Sequence, residues 1–387
     1  MGKAQEKIRR LQAVLAHNEG DRVPAGEFFW TGFNLRCKKK WGNDFDFYKH
    51  FDLDYVVITP NMDPHIMPFE IIEQKGEDIM LRAGFGGVLK RSGTAPMPHY
   101  DSFSVNKPEE MADFEFVDSP CDSRRFYSAG DDQFNGIGDA LNRNTPAWND
   151  RVNAYNEDFA VFGSVCEPYE YIWRIVGTEN SLLWMLEEPE AYKAFVDRIG
   201  AFLLEFTKAQ IKAGKGRLSG MYIWGDIAYR NGMFLNPKLW REIFKPHVKE
   251  LVNLCHSHGL MVVYHGCGNA SPVYEDFVEM GVNAYNPLEV KSGLDVVKLK
   301  ESFAGRLAFI GNVDVRVLES GDPLEIKKQV LYKLQASKGG GWIFQSDHSL
   351  SSDVEPESYM MALDVLREYG TYPLDMDRIK KELELLG

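Results

Sequence analysis

Short apolar runs alternate with longer stretches of helical periodicity over the second part of the chain. Each run has the length of one buried strand, and each following stretch repeats its apolar residues at helical spacing. This alternation is typical of repeated βα units, which build a parallel sheet. It predicts six units, with strands at FAVFGSV from Phe159, GMYIWGD from Gly220, LMVVYHGCGN from Leu260, VNAYNPLEV from Val282, LAFIGNVDV from Leu307 and GGWIFQSDHS from Gly340.

Two more strand-like runs lie upstream, VPAGEFFW from Val23 and DYVVITPN from Asp54. Together with the six units they give the strand count of a (β/α)8 barrel of the TIM type, and 387 residues suit one such domain with additions. We therefore predict a single α/β barrel domain over residues 1–387. A doubly wound sheet is the alternative, but no GxGxxG fingerprint follows any of these strands.

Three segments are predicted to be additions to the barrel. The first twenty residues read as an amphipathic leading helix closed by Gly20, and a glycine-punctuated β-hairpin is predicted between Ile71 and Ser92. The third addition runs from about Cys121 to Asn156 and is rich in Asp, Asn, Ser, Arg and Gly. That composition predicts an irregular insertion, which could serve as a lid.

Charge and cysteine content narrow the classes of partner. With 44 basic and 57 acidic residues the net charge is −13, which opposes binding to nucleic acid or to an anionic membrane surface. The five cysteines are scattered and odd in number, as expected in a reducing compartment. The N-terminal residues lack an apolar signal core, so we expect a cytoplasmic protein. A small molecule or another protein is the predicted partner.

Polar side chains follow most of the predicted strands. Catalytic groups of a (β/α)8 barrel sit where strands end and βα loops begin, so these side chains should meet at one mouth. Burying them unpaired would cost several kcal/mol, which makes a purely structural role hard to explain. They are Glu167 and Tyr169, Asp226, His265 and Cys267, Asn286 and Glu289, Asn312 and Asp314, and Asp347 and His348.

The motif HGCGN after the fifth strand is the sharpest local signal. His265 and Cys267 are two positions apart, which places both side chains on one face of an extended strand. Imidazole and thiolate are zinc ligands, and His348 after the eighth strand is the favoured third ligand. Glu167, Asp226 and Glu289 are candidates for a fourth ligand or for catalytic acid–base work. The alternative is a His and a Cys without any metal, since the pair is a short motif.

The aromatic residues near strand ends predict the walls of a substrate pocket. Trp30, Tyr169 and Trp224 are the candidates for this role, and core packing is the alternative for each. Asn286 and Asp347 complete the predicted substrate-binding set.

A family resemblance rests on the order of five segments: HGCGN from His265, NPLE from Asn286, GNVDVRVL from Gly311, GGWIFQSDHSL from Gly340 and REYGTYP from Arg367. In this order they resemble the uroporphyrinogen decarboxylase superfamily, most clearly over residues 222–373. The resemblance implies a (β/α)8 barrel and one of two activities. One is decarboxylation of a porphyrinogen without a cofactor, and the other is zinc-dependent methyl transfer to or from a corrinoid.

The methyltransferase branch is the more similar of the two. The decarboxylase pattern includes an RQAGRY-like stretch that pairs with substrate carboxylates, whereas the comparable region here reads EFFWTGFNLR from Glu27. In the methyltransferase branch zinc is held by a His-x-Cys after the fifth strand and a Cys after the eighth. His265 and Cys267 match the first two positions. His348 stands at the third, a departure that still supplies a competent zinc ligand.

The resemblance implies a corrinoid carried by a separate protein. The corrinoid-binding motif DxHxxG has a partial counterpart at Asp63 and His65, but Pro68 stands where the glycine belongs. The predicted function is therefore zinc-dependent methyl transfer between a small substrate and a partner corrinoid protein, with O-demethylation of an aryl methyl ether favoured. A metal-free decarboxylase and a non-catalytic binding barrel are the alternatives, and a homodimer stays open.

Overall fold

The computed structural model describes residues 2–92, 98–133 and 142–387. Its helices cover every stretch in which the sequence shows helical periodicity. The helices are α1 Lys3–Leu15, α2 Thr31–Trp41, α3 Phe47–Phe51, α4 Arg124–Tyr127, α5 Trp148–Tyr155, α6 Pro168–Val176, α7 Thr178–Glu187, α8 Pro189–Gly214, α9 Pro237–Ile243, α10 Lys245–Ser257, α11 Tyr274–Met280, α12 Val296–Ser302, α13 Val315–Ser320, α14 Pro323–Leu334, α15 Pro356–Tyr369 and α16 Met376–Leu386.

The strands fall into one large parallel sheet and three small antiparallel ones. In chain order they are β1 Tyr55–Val57, β2 Glu70–Lys75, β3 Asp78–Arg82, β4 Val88–Arg91, β5 His99–Ser102, β6 Gly130–Asp132, β7 Asn142–Thr145, β8 Ala160–Cys166, β9 Gly220–Trp224, β10 Ala228–Tyr229, β11 Gly232–Met233, β12 Met261–His265, β13 Ala284–Asn286, β14 Ala308–Ile310 and β15 Trp342–Ile343.

The large sheet is parallel and has the order β1-β8-β9-β12-β13-β14-β15. An extended segment around Ala25 joins its two edges. The Asp54 N–H donates to the Ala25 carbonyl at 2.8 Å, and the Gly26 N–H donates to the Phe344 carbonyl at 2.9 Å. The sheet therefore closes, and the predicted (β/α)8 barrel is confirmed.

The first predicted strand is shorter than the sequence indicates. The run from Val23 is reduced to isolated bridges, Ala25 to Phe344 and Phe29 to Leu350. Pro24 has no N–H for a ladder. Gly26 leaves room for the Tyr55 ring, since a Cβ at this glycine would lie 2.2 Å from that ring. The chain thus closes the barrel through a few main-chain bonds rather than a regular strand.

A buried ion cluster, which we call the closure cluster, holds this join. Asp54 is fully buried and receives the Ala25 N–H at 2.7 Å. Its carboxylate also pairs with the guanidinium groups of Arg10 and Arg22. Arg10 belongs to α1, so the leading helix is fastened to the barrel at the join.

The additions are more regular than predicted. The hairpin between Ile71 and Ser92 is confirmed and belongs to a four-stranded antiparallel sheet, β2-β3-β4-β5. The segment 121–156 was predicted to be irregular, but it contains α4, the β6-β7 pair and α5. Trp148 and Val152 of α5 are buried in the main core, which gives this helix its stability. Residues 134–141 lie outside the described part, and a role as a lid stays a prediction.

Within the described ranges, no helix combines the length and the apolar composition required to cross a membrane.

His17 lies at the end of α1, half-buried and next to Lys300, whose Nζ is 3.4 Å from Nδ1. Burial, and then the positive charge of Lys300, lower the pKa of His17 from 6.5 to about 4. Below pH 6.5 His17 is therefore protonated in the unfolded chain, whereas it stays neutral in the folded protein until the pH approaches 4. The free energy of unfolding falls as the pH drops from 6.5 towards 4.

The variant His17→Asn should remove this loss. Asparagine tolerates the φ of 56° at this position. With screening at a half-exposed site, we expect a relative gain of about 1 kcal/mol at pH 5 and little change at pH 7.5, measured by urea unfolding. His258→Asn, at an exposed position, is the control. An equal acid-induced loss in His17→Asn and the wild type would contradict this account.

Candidate metal centre

His265 ends β12 with its ring inside the barrel mouth. Its Nδ1 lies 2.7 Å from Oδ1 of Asn286, the last residue of the neighbouring strand β13. Burial lowers the pKa of His265 from 6.5 to about 4. The imidazole is therefore neutral at ordinary pH, which is the form that binds metals.

Cys267 lies just beyond β12, and its Sγ is 3.9 Å from Nε2 of His265. The Cys267 N–H donates to Oδ1 of Asp226 at 2.8 Å, which fixes the loop that carries the thiol. Burial, and then the charge of Asp226, raise the pKa of Cys267 well above 9.0. Gly268 has a φ of +79°, and a Cβ there would lie 2.6 Å from the Tyr229 backbone. Only glycine suits both this conformation and this close approach.

Two groups of ligand atoms share Cys267. One consists of Asp226, His265 and Cys267, and the other of Cys267, Glu289 and His348; within each group the ligand atoms lie within 4.8 Å of one another. Cys267 thus lies within 4.8 Å of a ligand atom of each predicted partner, His265 in one group and His348 in the other, and neither group contains both histidines. Asp226 and Glu289, two of the three residues predicted as a fourth ligand or catalytic acid, each belong to one of these groups.

Glu170 and Arg174 on α6 are site residues that the sequence analysis missed. Glu170 Oε1 accepts from Arg174 Nη1 at 2.6 Å, and its Oε2 accepts the Asp226 N–H at 3.2 Å. Burial raises the pKa of Glu170, and the charge of Arg174 opposes that rise. The sequence feature that could have identified these two residues is the i, i+4 spacing of an acid and a base on the helix that directly follows β8.

The donor set fits zinc. Thiol, imidazole and carboxylate are the groups that bind this ion, and here they converge at the end of parallel strands. Burial raises the pKa of both Cys267 and Asp226, because desolvation disfavours their anionic forms. A divalent cation at Cys267 would stabilise those anionic forms.

Two of the aromatic residues predicted to line the substrate pocket lie beside the candidate metal ligands. The Trp224 ring is 4.7 Å from the His265 ring, and the Trp30 ring is 5.3 Å from the His348 ring, both edge-on. Each tryptophan is partly exposed and can contact a substrate. Tyr169 differs, because it is 1% exposed and packs on Phe244, so it presents no open surface.

Glu167 directly follows β8, as expected from the sequence, and is the N-cap residue of α6. It is fully buried, and neither ligand group of the described residues contains it. A Cβ on Gly225 would lie 2.7 Å from Glu167 Cγ and 2.1 Å from Tyr264 Oη, so both side chains pack around this glycine. Burial raises the pKa of Glu167 well above 4.5. A direct catalytic role for Glu167 gains no support from this position.

Asn286 and Asp347, the two polar residues predicted to contact the substrate, form hydrogen bonds within the protein. Asn286 is fully buried and bonds His265. Asp347 accepts the N–H groups of Val290 and Val315, both at 2.8 Å, and thereby ties the loops after β13 and β14 together. Burial raises the pKa of Asp347 to about 6. Substrate binding by either residue stays a prediction.

Comparisons with known proteins agree with this architecture. The model of the uroporphyrinogen decarboxylase (URO-D) family matches residues 147–369. The uroporphyrinogen decarboxylases of Pseudoalteromonas translucida and Citrifermentans bemidjiense are 23% and 26% identical over 192 and 189 residues, which are 47% and 46% of this chain and 50% of each relative. The chain thus aligns with about half the length of these curated relatives.

A solved methyltransferase from Methanosarcina mazei has the same fold, with a TM-score of 0.66. The likeness covers 94% of this chain and 98% of that one, at 16% sequence identity. The family match extends over more than half of the chain and includes β8, β9 and every later strand of the barrel. This chain therefore belongs to the uroporphyrinogen decarboxylase family.

Proposed function

We propose that this protein is a zinc-dependent methyltransferase that moves a methyl group between a small substrate and a separate corrinoid protein. The observation that carries the proposal is the convergence of sulfur, nitrogen and oxygen ligand atoms on Cys267 at the barrel mouth. The likeness of the whole chain to the Methanosarcina mazei methyltransferase supports it in fold. This chain lacks the RQAGRY-like stretch that pairs with substrate carboxylates in the decarboxylases, which argues against a porphyrinogen substrate.

His265, Cys267 and His348 would hold the zinc, with Asp226 or Glu289 as the fourth ligand. Bound zinc would supply Lewis-acid polarisation of the heteroatom that gives or takes the methyl group. The neutral imidazole of His265 offers its lone pair without first losing a proton. Asp226 fixes the Cys267 main chain and so holds the thiol beside His265.

Proton transfer and substrate contact belong to the same mouth. Asp226 accepts the Cys267 N–H at Oδ1, and burial raises the pKa of its carboxyl group. With Glu289 as the fourth ligand, the Asp226 carboxyl group would be placed to give a proton to the oxygen of a methyl ether whose methyl group is transferred to the corrinoid. Trp30 and Trp224 offer flat apolar walls, which favours an aryl methyl ether as the methyl donor.

The test is methyl transfer to free cob(I)alamin by the zinc-loaded protein, with methoxylated benzoates as donors. In the reverse direction, methylcobalamin is offered with thiol acceptors. We expect methylcobalamin to form or disappear above the protein-free background. No transfer in either direction, together with turnover of a porphyrinogen by chelator-treated protein, would contradict the proposal and favour a decarboxylase.

A further inference from the structure

A chain of buried polar side chains runs from the barrel interior to the back of the His265 ring. The Tyr222 hydroxyl donates to the Tyr55 hydroxyl at 2.8 Å, and Tyr55 donates to Gln345 Oε1 at 3.0 Å. Asn286 Nδ2 donates to the same Gln345 oxygen at 3.3 Å, and Asn286 Oδ1 faces His265 Nδ1 at 2.7 Å. These four residues, Tyr222, Tyr55, Gln345 and Asn286, form what we call the interior relay.

One contact fixes the direction of the bonds at the end of the relay. Asn286 Nδ2 lies 3.3 Å from the carbonyl oxygen of Ile310, and a carbonyl can only accept. The amide nitrogen must therefore face Ile310 and Gln345, which leaves Oδ1 towards the histidine. Since Oδ1 can only accept, His265 Nδ1 must carry the proton and Nε2 must carry the lone pair.

The lone pair then points at the proposed metal ligands, because Nε2 is the ring atom 3.9 Å from Cys267 Sγ. The relay is packed against the Phe28 ring, which lies 5.6 Å from Tyr222 and 5.8 Å from His265. All four relay residues are at most 2% exposed. Water does not compete for these bonds in such an interior.

We propose that Asn286, held by Gln345 and Tyr55, is the positioning residue that fixes the tautomer of His265 and aims Nε2 at the metal. This inference rests on the proposed function, in which His265 is a zinc ligand. The Asn286 side chain is fully buried behind the ring. Partners of this kind around metal-bound histidines typically change metal affinity by about 10- to 100-fold.

The test reads the tautomer directly in the metal-free, full-length protein. Selective ¹⁵N labelling of its nine histidines, with His265→Gln to assign the resonance, reports which ring nitrogen carries the proton. We expect a single Nδ1–H form in the wild type and a mixture with Nε2–H in Asn286→Leu. Asn286→Asp keeps an acceptor at the same place and should restore the single form. Gln345→Met, which leaves the Ile310 bond intact, should give a weaker effect of the same sign.

Zinc affinity, measured by competition with a chelator, is the second readout. We expect it to fall by about 10- to 100-fold in Asn286→Leu and to recover in Asn286→Asp. Gln210→Met is the matched control: this buried amide on α8 bonds the Ser164 main chain at 3.0 and 2.9 Å and belongs to neither ligand group of the described residues. It should lower stability without changing the tautomer or the zinc affinity.

The two hypotheses fail in different ways. An Nε2–H ring in the metal-free wild type, or an unchanged tautomer in Asn286→Leu, would overturn the role of Asn286 even if zinc binds. A fixed Nδ1–H form that depends on Asn286, in a protein that takes up no zinc, would support the positioning role and overturn the proposed function.

Discussion

Cys267→Ala is expected to lower zinc affinity by at least about 100-fold and methyl transfer by at least about 1000-fold. The reason is geometric, because Cys267 is the one residue common to both groups of ligand atoms. Its removal leaves Asp226 with His265, and Glu289 with His348, without a shared ligand. Chelator competition and the cob(I)alamin assay measure the two effects separately.

Cys255→Ala is the matched control for this variant. Cys255 is a buried thiol on α10, and it belongs to neither ligand group of the described residues. Its loss should cost some stability through the small cavity it leaves, with zinc binding and activity unchanged. Equal zinc affinity in Cys267→Ala and the wild type would contradict the proposed site.

The second large effect is a loss of stability, expected when the closure cluster loses the charge of Asp54. We expect Asp54→Asn to destabilise the protein by about 3 kcal/mol, because neutralising one member of a buried ion pair leaves its partners short of charge in a low dielectric. Arg10 and Arg22 would lose that charge, although Arg10 keeps Asp21. The asparagine oxygen can still accept the Ala25 N–H, so the variant isolates charge from shape. Urea unfolding measures the loss.

Asp52→Asn provides the comparison within the same cluster of charges. Asp52 pairs with Lys7 and Arg22, but its side chain is 64% exposed. An exposed pair contributes about 0–1 kcal/mol, so this variant should stay close to the wild type. Similar losses in Asp54→Asn and Asp52→Asn would show that the closure cluster does not hold the barrel join.

The sequence predicted the barrel because its strands are buried on both faces. Such strands read as continuous apolar runs, and those at Ala160–Cys166 and Met261–His265 are almost entirely buried. The join at Ala25 was harder to read, since its pairing depends on a glycine that makes room for Tyr55. Local sequence does not show such a tertiary contact.

The break between α9 and α10 is a second feature that the periodicity of the sequence does not predict. Helical periodicity is continuous from Asn236 to Gly259 in the sequence, which begins with an Asn-Pro pair suited to a helix start. In the structure Asn236 is the N-cap and accepts the Lys238 N–H at 2.8 Å. The helix nevertheless divides at Phe244, because Pro246 has no N–H to continue the ladder.

The positions of the proposed metal ligands were easier to predict than those of the residues around them. His265 and Cys267 follow a strand directly, so the pleat fixes their common face. Glu167, Tyr169 and Glu170 all lie in the first turn of α6 or its cap, where the side-chain directions depend on how the helix packs. All three are buried, but only Glu170 of these three bonds the Asp226 N–H. The sequence could not separate these three.

Glu27 was also missed by the sequence analysis. Its Oε1 accepts from the Ser346 hydroxyl at 2.8 Å, and burial raises its pKa to about 8. It lies within the run from Val23, which contains a proline and a glycine and forms no regular strand, so the sequence did not predict the direction of its side chain.

The central claim is that the barrel mouth binds one zinc ion. The most direct measurement is the metal content of the full-length protein, purified without chelator and again after equilibration with zinc and removal of the excess. We expect about one zinc per chain. A protein that contains no zinc as purified and takes up none on equilibration would contradict the account.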